Sequence, residues 1–171
     1  MKILPSIFLI PLLVACSQTD QKYQLEEPTI LSVNKSCSML GLEMTNWKSS
    51  AGDGIYRCIS NYIDISPDNG TKLPNNLAYY VQGTENTVNE LKIVLNVNDK
   101  SYRKKAENEF IMLSSKVYKN INPNELPSDL INAISSKKNY SISDENFTYS
   151  IENEDFENGK GFTQKFIIRL K

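Results

Sequence analysis

The chain has no histidine among its 171 residues. Histidine is the commonest general base and a common metal ligand, so its absence excludes Ser-His-Asp and Cys-His catalysis. A zinc site would have to be built from three cysteines and carboxylates alone, which is not a usual ligand set. We therefore predict no catalytic residue, no metal site and no cofactor, and we expect a protein without enzymatic activity.

The chain also lacks an excess of charge of either sign. Its 19 lysines and arginines face 20 aspartates and glutamates, which leaves a formal net charge of −1. A nucleic-acid partner would require a concentrated basic face. The basic clusters are short, Arg103, Lys104 and Lys105 in one place and Lys137 and Lys138 in another. We interpret both as solvated helix faces or ends and predict no nucleic-acid partner.

Long hydrophobic runs are missing as well. An apolar run covers residues 3–14, behind a single positive charge at Lys2. A membrane-spanning helix needs about 20 apolar residues, so this run is too short to span a bilayer. A short apolar run behind a positive N-terminus is typical of a secretory signal. We predict a signal peptide over residues 1–15.

The signal ends in Leu13-Val14-Ala15-Cys16, which resembles the lipobox of bacterial lipoproteins. The resemblance implies cleavage before Cys16, and acyl chains such as palmitate on its sulfur and its new amino group. Two or three chains hold a domain durably, because each buried methylene contributes about 0.8 kcal/mol. Ser17 stands where aspartate would retain a lipoprotein at the inner membrane, so the resemblance implies an outer-membrane anchor facing the periplasm. The alternative is an ordinary signal peptide whose Cys16 joins a disulfide.

The other two cysteines, Cys37 and Cys58, form an even pair. In an oxidising compartment such a pair is expected to form a disulfide. Closing a loop of this length stabilises a fold by roughly 3 kcal/mol in the chain-entropy account. Two free buried thiols or a metal site are the alternatives, and a metal site would need further ligands.

A tether is expected between the signal and the domain. Residues 17–34 are polar and acidic and have no periodic apolar spacing, which is typical of a flexible segment. We predict a lipid-attached tether over residues 16–35 and a single domain over residues 36–171, long enough to bury a core. Alternatively, the later half of the tether packs along the domain through residues such as Ile30 and Leu31.

The domain shows strand periodicity, then helix periodicity, then strand periodicity again. Period-two alternation predicts five strands, over residues 55–65, 77–81, 88–97, 142 or 147 to 156, and 161–170. Helical spacing predicts two helices, over residues 102–117 and 127–134. A short helix carrying Cys37 is also expected before Trp47. The order β-β-β-α-α-β-β predicts an α+β domain, an antiparallel sheet of about five strands with the helices on one face.

Two motifs resemble functional sites, but their position or their residues do not fit those sites. Ser101 and Lys104 have the spacing of a serine nucleophile and a lysine base, yet they lie at the predicted start of a helix. Residues 152–159 are rich in carboxylates, but an EF-hand loop counted from Asn153 would place Asn158 and Gln164 where glycine and glutamate are required. We interpret this acidic run as the solvated tip of a hairpin.

Four tyrosines form the candidate binding surface. Tyr56, Tyr62, Tyr79 and Tyr80 lie on the first two predicted strands, which are expected to be neighbours. Exposed tyrosines are common in protein interfaces because they combine a large apolar body with a polar tip. Packing of these rings in the core is the alternative, because both faces of these strands carry large apolar groups.

The body of the chain, with its Leu-Ala-Tyr-Tyr-Val-Gln-Gly strand at residues 77–83, resembles small bacterial envelope lipoproteins of no known activity. The resulting hypothesis is a tethered, non-enzymatic domain that binds a periplasmic protein. It would act as an immunity protein or inhibitor, or as an accessory of an envelope or secretion machine. The alternative hypothesis is an envelope enzyme or a carrier of a small ligand or lipid, which requires a lined cleft or a deep apolar cavity.

Overall fold

A computed structural model describes residues 31–49, 52–68, 70 and 73–171. These residues form three α-helices and seven strands. The helices are α1 (Val33–Ser38), α2 (Arg103–Ile121) and α3 (Ser128–Ser136). The strands are β1 (Tyr56–Ile59), β2 (Ile63–Asp64), β3 (Asn76–Gly83), β4 (Val88–Val97), β5 (Tyr140–Ser143), β6 (Phe147–Asp155) and β7 (Phe162–Leu170). The predicted α+β class is therefore confirmed.

All seven strands join one antiparallel sheet in the order β1-β3-β4-β7-β6-β5. Strand β2 lies in line with β1, because both pair with β3 at different points of its length. The last strand of the chain, β7, occupies an interior position between β4 and β6. The two edges of the sheet are therefore the β1–β2 pair and β5.

The helices cover one face of this sheet, which we call the helix face. Alternate residues of the central strands are buried there, as the run Leu91, Ile93 and Leu95 of β4 illustrates. They form a continuous core with Phe110 of α2 and Ile134 of α3. The opposite positions of the same strands are mostly polar and half-buried, and we call that side the open face. The prediction of helices on one face is confirmed.

The first predicted strand, over residues 55–65, is divided into β1 and β2. The break follows Ser60, whose side-chain oxygen accepts a hydrogen bond of 2.9 Å from the backbone N–H of Tyr79. A side chain therefore satisfies a β3 donor that a backbone carbonyl would satisfy in a continuous strand. This substitution accounts for the interruption.

The strand predicted to end at residue 156 is also two strands, β5 and β6, joined as a hairpin. Asp144 stabilises the turn, since its Oδ1 accepts hydrogen bonds from the backbone N–H groups of Asn146 and Phe147, at 2.9 and 2.8 Å. The turn has no glycine and no proline. Its sequence therefore offered only the weak signal of an aspartate that bonds its own local backbone.

The domain begins earlier than predicted. Leu31 is 5% exposed and belongs to the core, and α1 begins at Val33 with Ser32 accepting from the backbone N–H of Lys35. Residues 31–35 are therefore part of the domain and not of the tether, as the alternative of packing through Leu31 anticipated. The predicted signal peptide, Cys16 and the tether up to residue 30 lie outside the described residues.

A disulfide joins Cys37 of α1 to Cys58 of β1, with 6.1 Å between the Cα atoms. Cys58 is fully buried and faces the helix side of the sheet. The hydroxyl of Tyr79 donates to the carbonyl oxygen of Ser36 at 3.1 Å, beside the disulfide. Both contacts hold α1 against the helix face of the sheet near the β1 edge.

Candidate functional site

The four tyrosines of the predicted binding surface do not lie together. Tyr79 and Tyr80 are adjacent residues of β3 and therefore point to opposite faces of the sheet. Tyr79 is fully buried in the core, where burial raises the pKa of its hydroxyl. Its inclusion in a binding surface is wrong, because a strand alternates its side chains and this ring has the core side.

Tyr56 is separated from the others as well. It lies on the helix side of β1, where its ring centroid is 6.2 Å from that of Trp47. The indole N–H of Trp47 donates to the carbonyl oxygen of Glu85 at 2.9 Å, which fixes the position of the larger ring. Tyr56 is half-buried in this local cluster and does not contribute to the open face.

Tyr62 and Tyr80 do come together. Their hydroxyl oxygens are 3.2 Å apart, with Tyr62 contributed by the link between β1 and β2. Tyr62 is 56% exposed and Tyr80 is half-buried on the open face. Burial, followed by the hydrogen bond shared with Tyr62, raises the pKa of the Tyr80 hydroxyl above its ordinary value. The pair offers an aromatic surface with a polar tip.

A row of alternating charges continues from this pair across the open face. The ammonium of Lys92 lies 5.2 Å from the centroid of the Tyr80 ring and 3.6 Å from a carboxylate oxygen of Glu90. Glu90 also accepts from Arg169 on β7 at 2.9 Å, and Arg169 lies 3.7 Å from Glu152 on β6. Side chains of four adjacent strands are thus linked. We call the set Tyr62, Tyr80, Lys92, Glu90, Arg169 and Glu152 the open-face row.

The open-face row is charge-balanced and covers apolar surface. Glu90 is 9% exposed and lies between two cations, which compensates the cost of removing its carboxylate from water. Val94 and Ile167, in the middle of the same face, are 9% and 2% exposed. The arrangement presents paired charges and aromatic rings on the strand surface.

Of this row, only the two tyrosines are candidates from the sequence. Lys92 and Glu90 are positions of β4 that a period-two pattern marks as solvent-facing, without further distinction. Their partner Arg169 lies 79 residues from Glu90 in sequence. Nothing local specifies that β7 will pair with β4 in this register, so the row could not be read from the sequence.

Surface clefts occur elsewhere on the described residues. One of about 390 Å³ lies between α3 and β5 and is lined by residues that include Asp129, Ser136 and Tyr140. Another, of about 290 Å³, lies beside α1 and is lined by Val33 and Trp47 among others. The second has the more apolar set of side chains.

The two motifs set aside on context have structural roles. The hydroxyl of Ser101 donates to the carboxylate of Asp99 at the start of the helical segment that leads into α2. The carboxylates of the acidic run are distributed among separate partners, such as Lys165 for Glu154 and Lys137 for Asp155. Within the described ranges, no group of three or more Cys, Asp or Glu side chains is placed to hold a metal ion.

One residue of each basic cluster, Arg103 or Lys137, makes internal contacts, whereas Lys104, Lys105 and Lys138 are exposed. Arg103 pairs with the buried Glu107 at 2.6 Å. Arg103 and Lys137 both approach the ring of Phe162, at 5.4 and 4.8 Å from its centroid. These two cations join the start of α2 and the end of α3 to the β6–β7 hairpin.

Comparisons with known proteins place the domain in a family. In the part of the chain that the structure describes, no helix is long and apolar enough to cross a membrane. No curated protein and no solved structure matches the chain. A family model described as "Family of unknown function (DUF6030)" matches residues 36–168, from within α1 to within β7. This match spans most of the 171 residues, and the chain therefore belongs to the DUF6030 family.

Proposed function

We propose that this protein is an outer-membrane lipoprotein that binds a protein partner in the periplasm without catalysing a reaction. The lipobox-like sequence ending at Cys16 supports the anchor, and the open-face row supports the binding role. Within this class, the protein serves as an immunity protein or inhibitor, or as an accessory of an envelope machine. Both roles need a stable recognition surface on a tethered domain.

The observation that carries the proposal is the open-face row itself. Tyrosine and arginine are enriched in protein interfaces, where they supply contact area together with directional hydrogen bonds. The charges of Lys92, Glu90 and Arg169 are already held by their neighbours, so little conformational entropy is lost on binding. Alternating charges also discriminate between partners, because a mismatched partner would bury like charges against one another.

A lipid anchor would strengthen such an interaction without any new contact. Confinement to a membrane raises the effective concentration of the domain near partners in the same envelope. A surface of modest affinity then suffices. The intact mass of the protein from its native membrane tests the anchor: residues 16–171 plus three acyl chains is the expected result, and a mass without lipid would contradict it.

The binding role is tested by site-specific photocrosslinking in the native envelope. A photoreactive phenylalanine analogue at Tyr62 is expected to yield a discrete adduct with one partner protein. The matched control places the same analogue at Tyr102, which is 37% exposed beside the start of α2, in the helix layer. Equal adducts at both positions, or none at Tyr62, would overturn the assignment of the open face.

A charge reversal sharpens the same experiment. Lys92→Glu places a second carboxylate beside Glu90 and is expected to reduce the Tyr62 adduct at least tenfold. Lys104→Glu makes the same change at an exposed site of α2 and is expected to leave the adduct unchanged. Thermal unfolding of both variants separates a loss of recognition from a loss of fold.

The cleft beside α1 favours a second candidate, the carrier of a small apolar ligand. Its volume of about 290 Å³ is near the lower end of ligand sites, and Val33, Leu42 and Met44 contribute apolar lining. Trp47 is the only tryptophan of the chain and lies in this cleft, so its fluorescence reports occupancy directly. Saturable quenching or a blue shift with fatty acid, abolished by Leu42→Glu, would favour the carrier over the protein-binding module.

A further inference from the structure

Strand β5 is an edge of the sheet that no described segment covers. Among the described residues it pairs only with β6, and three of its four residues are exposed. Edge strands of soluble proteins are commonly protected by lysine, proline, a bulge or a covering segment. The sequence Tyr-Ser-Ile-Ser of β5 contains no proline and no charge, and its register with β6 is regular.

The hairpin geometry shows which backbone groups point outward. Asp144 donates its N–H to the carbonyl of Phe147 at 3.0 Å, so these two residues form a hydrogen-bonded pair. Hydrogen-bonded pairs recur at every second residue of an antiparallel ladder. Ile142 and Tyr140 therefore bond to β6, while Ser141 and Ser143 direct their N–H and C=O groups away from the sheet. A further antiparallel strand would satisfy those groups.

The charges on either side of β5 specify the strand that fits. Lys137 and Lys138 precede the strand, and Asp144 and Glu145 follow it. An antiparallel copy of the same segment would bring its acidic end to the basic end of the first. The segment is therefore complementary to itself.

The geometry points to a second copy of this chain as the occupant: we propose that two β5 strands pair in antiparallel fashion about a two-fold axis at Ser141. In this register Ser141 faces Ser141 of the second copy, and the outward-pointing groups of both strands meet. Each Tyr140 lies opposite Ile142 of the other copy, on the helix side of the sheet. The result is an isologous interface with one sheet continuing through two molecules.

The Tyr140–Ile142 contacts bury surface that the monomer exposes. The Tyr140 side chain is 36% exposed, and its hydroxyl donates to the carboxylate of Asp129 on α3 at 3.3 Å. Ile142 is half-buried against the core. Cross-strand pairs of an aromatic and a β-branched residue stabilise antiparallel sheets by roughly 0.2–1 kcal/mol each, and the two-fold axis supplies two such pairs.

The charge contacts involve Glu145 rather than Asp144. The carboxylate of Asp144 already accepts from two turn N–H groups and from the hydroxyl of Tyr149. Glu145 is exposed at the same turn, and Lys138 is exposed at the other end of the strand. In the proposed register Lys138 of one copy lies opposite Asp144 of the other, and Glu145 is the next residue, in the turn beyond the strand. Because the Asp144 carboxylate is already engaged, Lys138 pairs with the neighbouring Glu145, twice in the dimer.

This dimer is a property of the edge strand and does not depend on the proposed partner of the open face. The shared strand is short, so the interface is small and the dimer is in equilibrium with the monomer at ordinary concentrations. Membrane confinement would shift that equilibrium toward the dimer. The test consequently traps the dimer covalently.

Oxidative crosslinking of the purified full-length chain tests the register. In Ser141→Cys the two introduced cysteines face each other across the axis, within the range of a disulfide. The matched control is Ser143→Cys, an exposed serine of the same strand with the same outward backbone. In the proposed register the two cysteines of this control variant lie about 13 Å apart along the strands, given roughly 3.3 Å per residue. At least tenfold more disulfide-linked dimer is expected from Ser141→Cys.

Exchange of the Lys138 and Glu145 charges then tests whether the partner strand is a second copy of the chain. In the Ser141→Cys background, Lys138→Glu and Glu145→Lys are each expected to lower the dimer yield several-fold. The double variant places opposite charges at positions 138 and 145 again, with the signs exchanged, and is expected to recover the yield of disulfide-linked dimer. Equal crosslinking at Ser141 and Ser143, no crosslinking at either, or no recovery in the double variant would overturn the proposal. Failure here leaves the Tyr62 photocrosslink unaffected, so the two proposals fail separately.

Discussion

The two edges of the sheet are built in different ways. At the β1 edge, an irregular segment around residues 44–48 runs alongside the strand. Its Lys48 N–H donates to the carbonyl oxygen of Arg57 at 3.2 Å, and the Arg57 N–H donates to the carbonyl oxygen of Lys48 at 3.0 Å. The disulfide to Cys58 holds α1 against the same region. At β5, the described residues provide no strand or bridge on the outer side.

Protection of the β1 edge is local and depends on several separate contacts. Closing the β1 edge takes a covalent bond, a covering segment and a buried tyrosine hydroxyl. A sheet with both edges closed this way has no backbone left for pairing. Leaving β5 uncovered preserves one site where a strand can add, and its flanking charges limit which strand that is.

Removal of the disulfide at the β1 edge should lower the free energy of unfolding far more than a matched change at β5. Cys37→Ala with Cys58→Ala opens a loop with a sequence separation of 21 residues, and we expect a loss of about 3 kcal/mol in the free energy of unfolding. Chemical denaturation measures this, and hydrogen exchange should rise first around β1. Ser141→Ala with Ser143→Ala at the open edge is the control, expected within about 0.5 kcal/mol. A disulfide effect below that of the control would contradict the assigned role.

Proline substitutions at the two edges should give the next largest difference in stability. Lys48→Pro removes the N–H that donates to Arg57, and we expect a loss of about 1.5 kcal/mol from the lost bond and local strain. Ser141→Pro removes an N–H that points to solvent, and an edge strand tolerates proline there. Thermal unfolding of the monomer compares the two. A larger loss at Ser141 would show that its N–H is not free to pair with a second strand.

The contrast between edges was only partly predictable. The helix α2 and strand β4 were anticipated closely, because their apolar spacing is long and regular over one local window. Cys37 and Cys58 were the only cysteines left after the lipobox, so their pairing followed from counting and compartment. The covering of β1 by residues 44–48 had no such signal, because isolated bridges have no periodicity.

The open edge was missed for a different reason. Asp144 ends β5 and organises the turn through its side chain, whereas the usual hairpin signals rely on glycine or asparagine with positive φ. The candidate site was limited by non-local pairing. Tyr80 was identified, but the residues that give it a charged neighbourhood come from β4, β6 and β7, and sheet register across such distances is set by the whole core.

Two tyrosine variants compare a buried hydroxyl that holds α1 near the β1 edge with an exposed hydroxyl on the open face. Tyr79→Phe removes the hydroxyl that donates to Ser36 and leaves the aromatic packing in place, so we expect a loss of about 1 kcal/mol. Tyr62→Phe removes a hydroxyl at a site that is 56% exposed and should change the free energy of unfolding little. Denaturation midpoints of the two variants provide the measurement. Equal losses would mean that burial does not distinguish these tyrosines.

The smallest expected effect concerns acid stability at the open edge. Burial alone would raise the pKa of Asp144, but hydrogen bonds from Tyr149, Phe147 and Asn146 outweigh it and lower the pKa below the ordinary value of 3.8. A lowered folded-state pKa stabilises the fold above pH 3.8, and this contribution is lost as the pH falls through the folded value. Asp144→Asn should therefore lose about 0.5–1 kcal/mol at neutral pH and show a shallower decline in acid.

Asp53 at the closed edge is the matched control, because the hydrogen bond from Arg57 lowers its pKa too. Both carboxylates are exposed, but they differ in their partners. Asp53 is held mainly by an ion pair with Arg57, which water screens, whereas Asp144 accepts from the hydroxyl of the buried Tyr149 and from two turn N–H groups. Asp53→Asn should therefore leave the acid limb of the stability curve close to that of the parent chain, measured by denaturation from about pH 5 to about pH 2. If Asp53→Asn flattened this limb as much as Asp144→Asn, the hairpin turn that ends β5 would have no special dependence on its carboxylate, and the open edge would be held by backbone pairing with β6 alone.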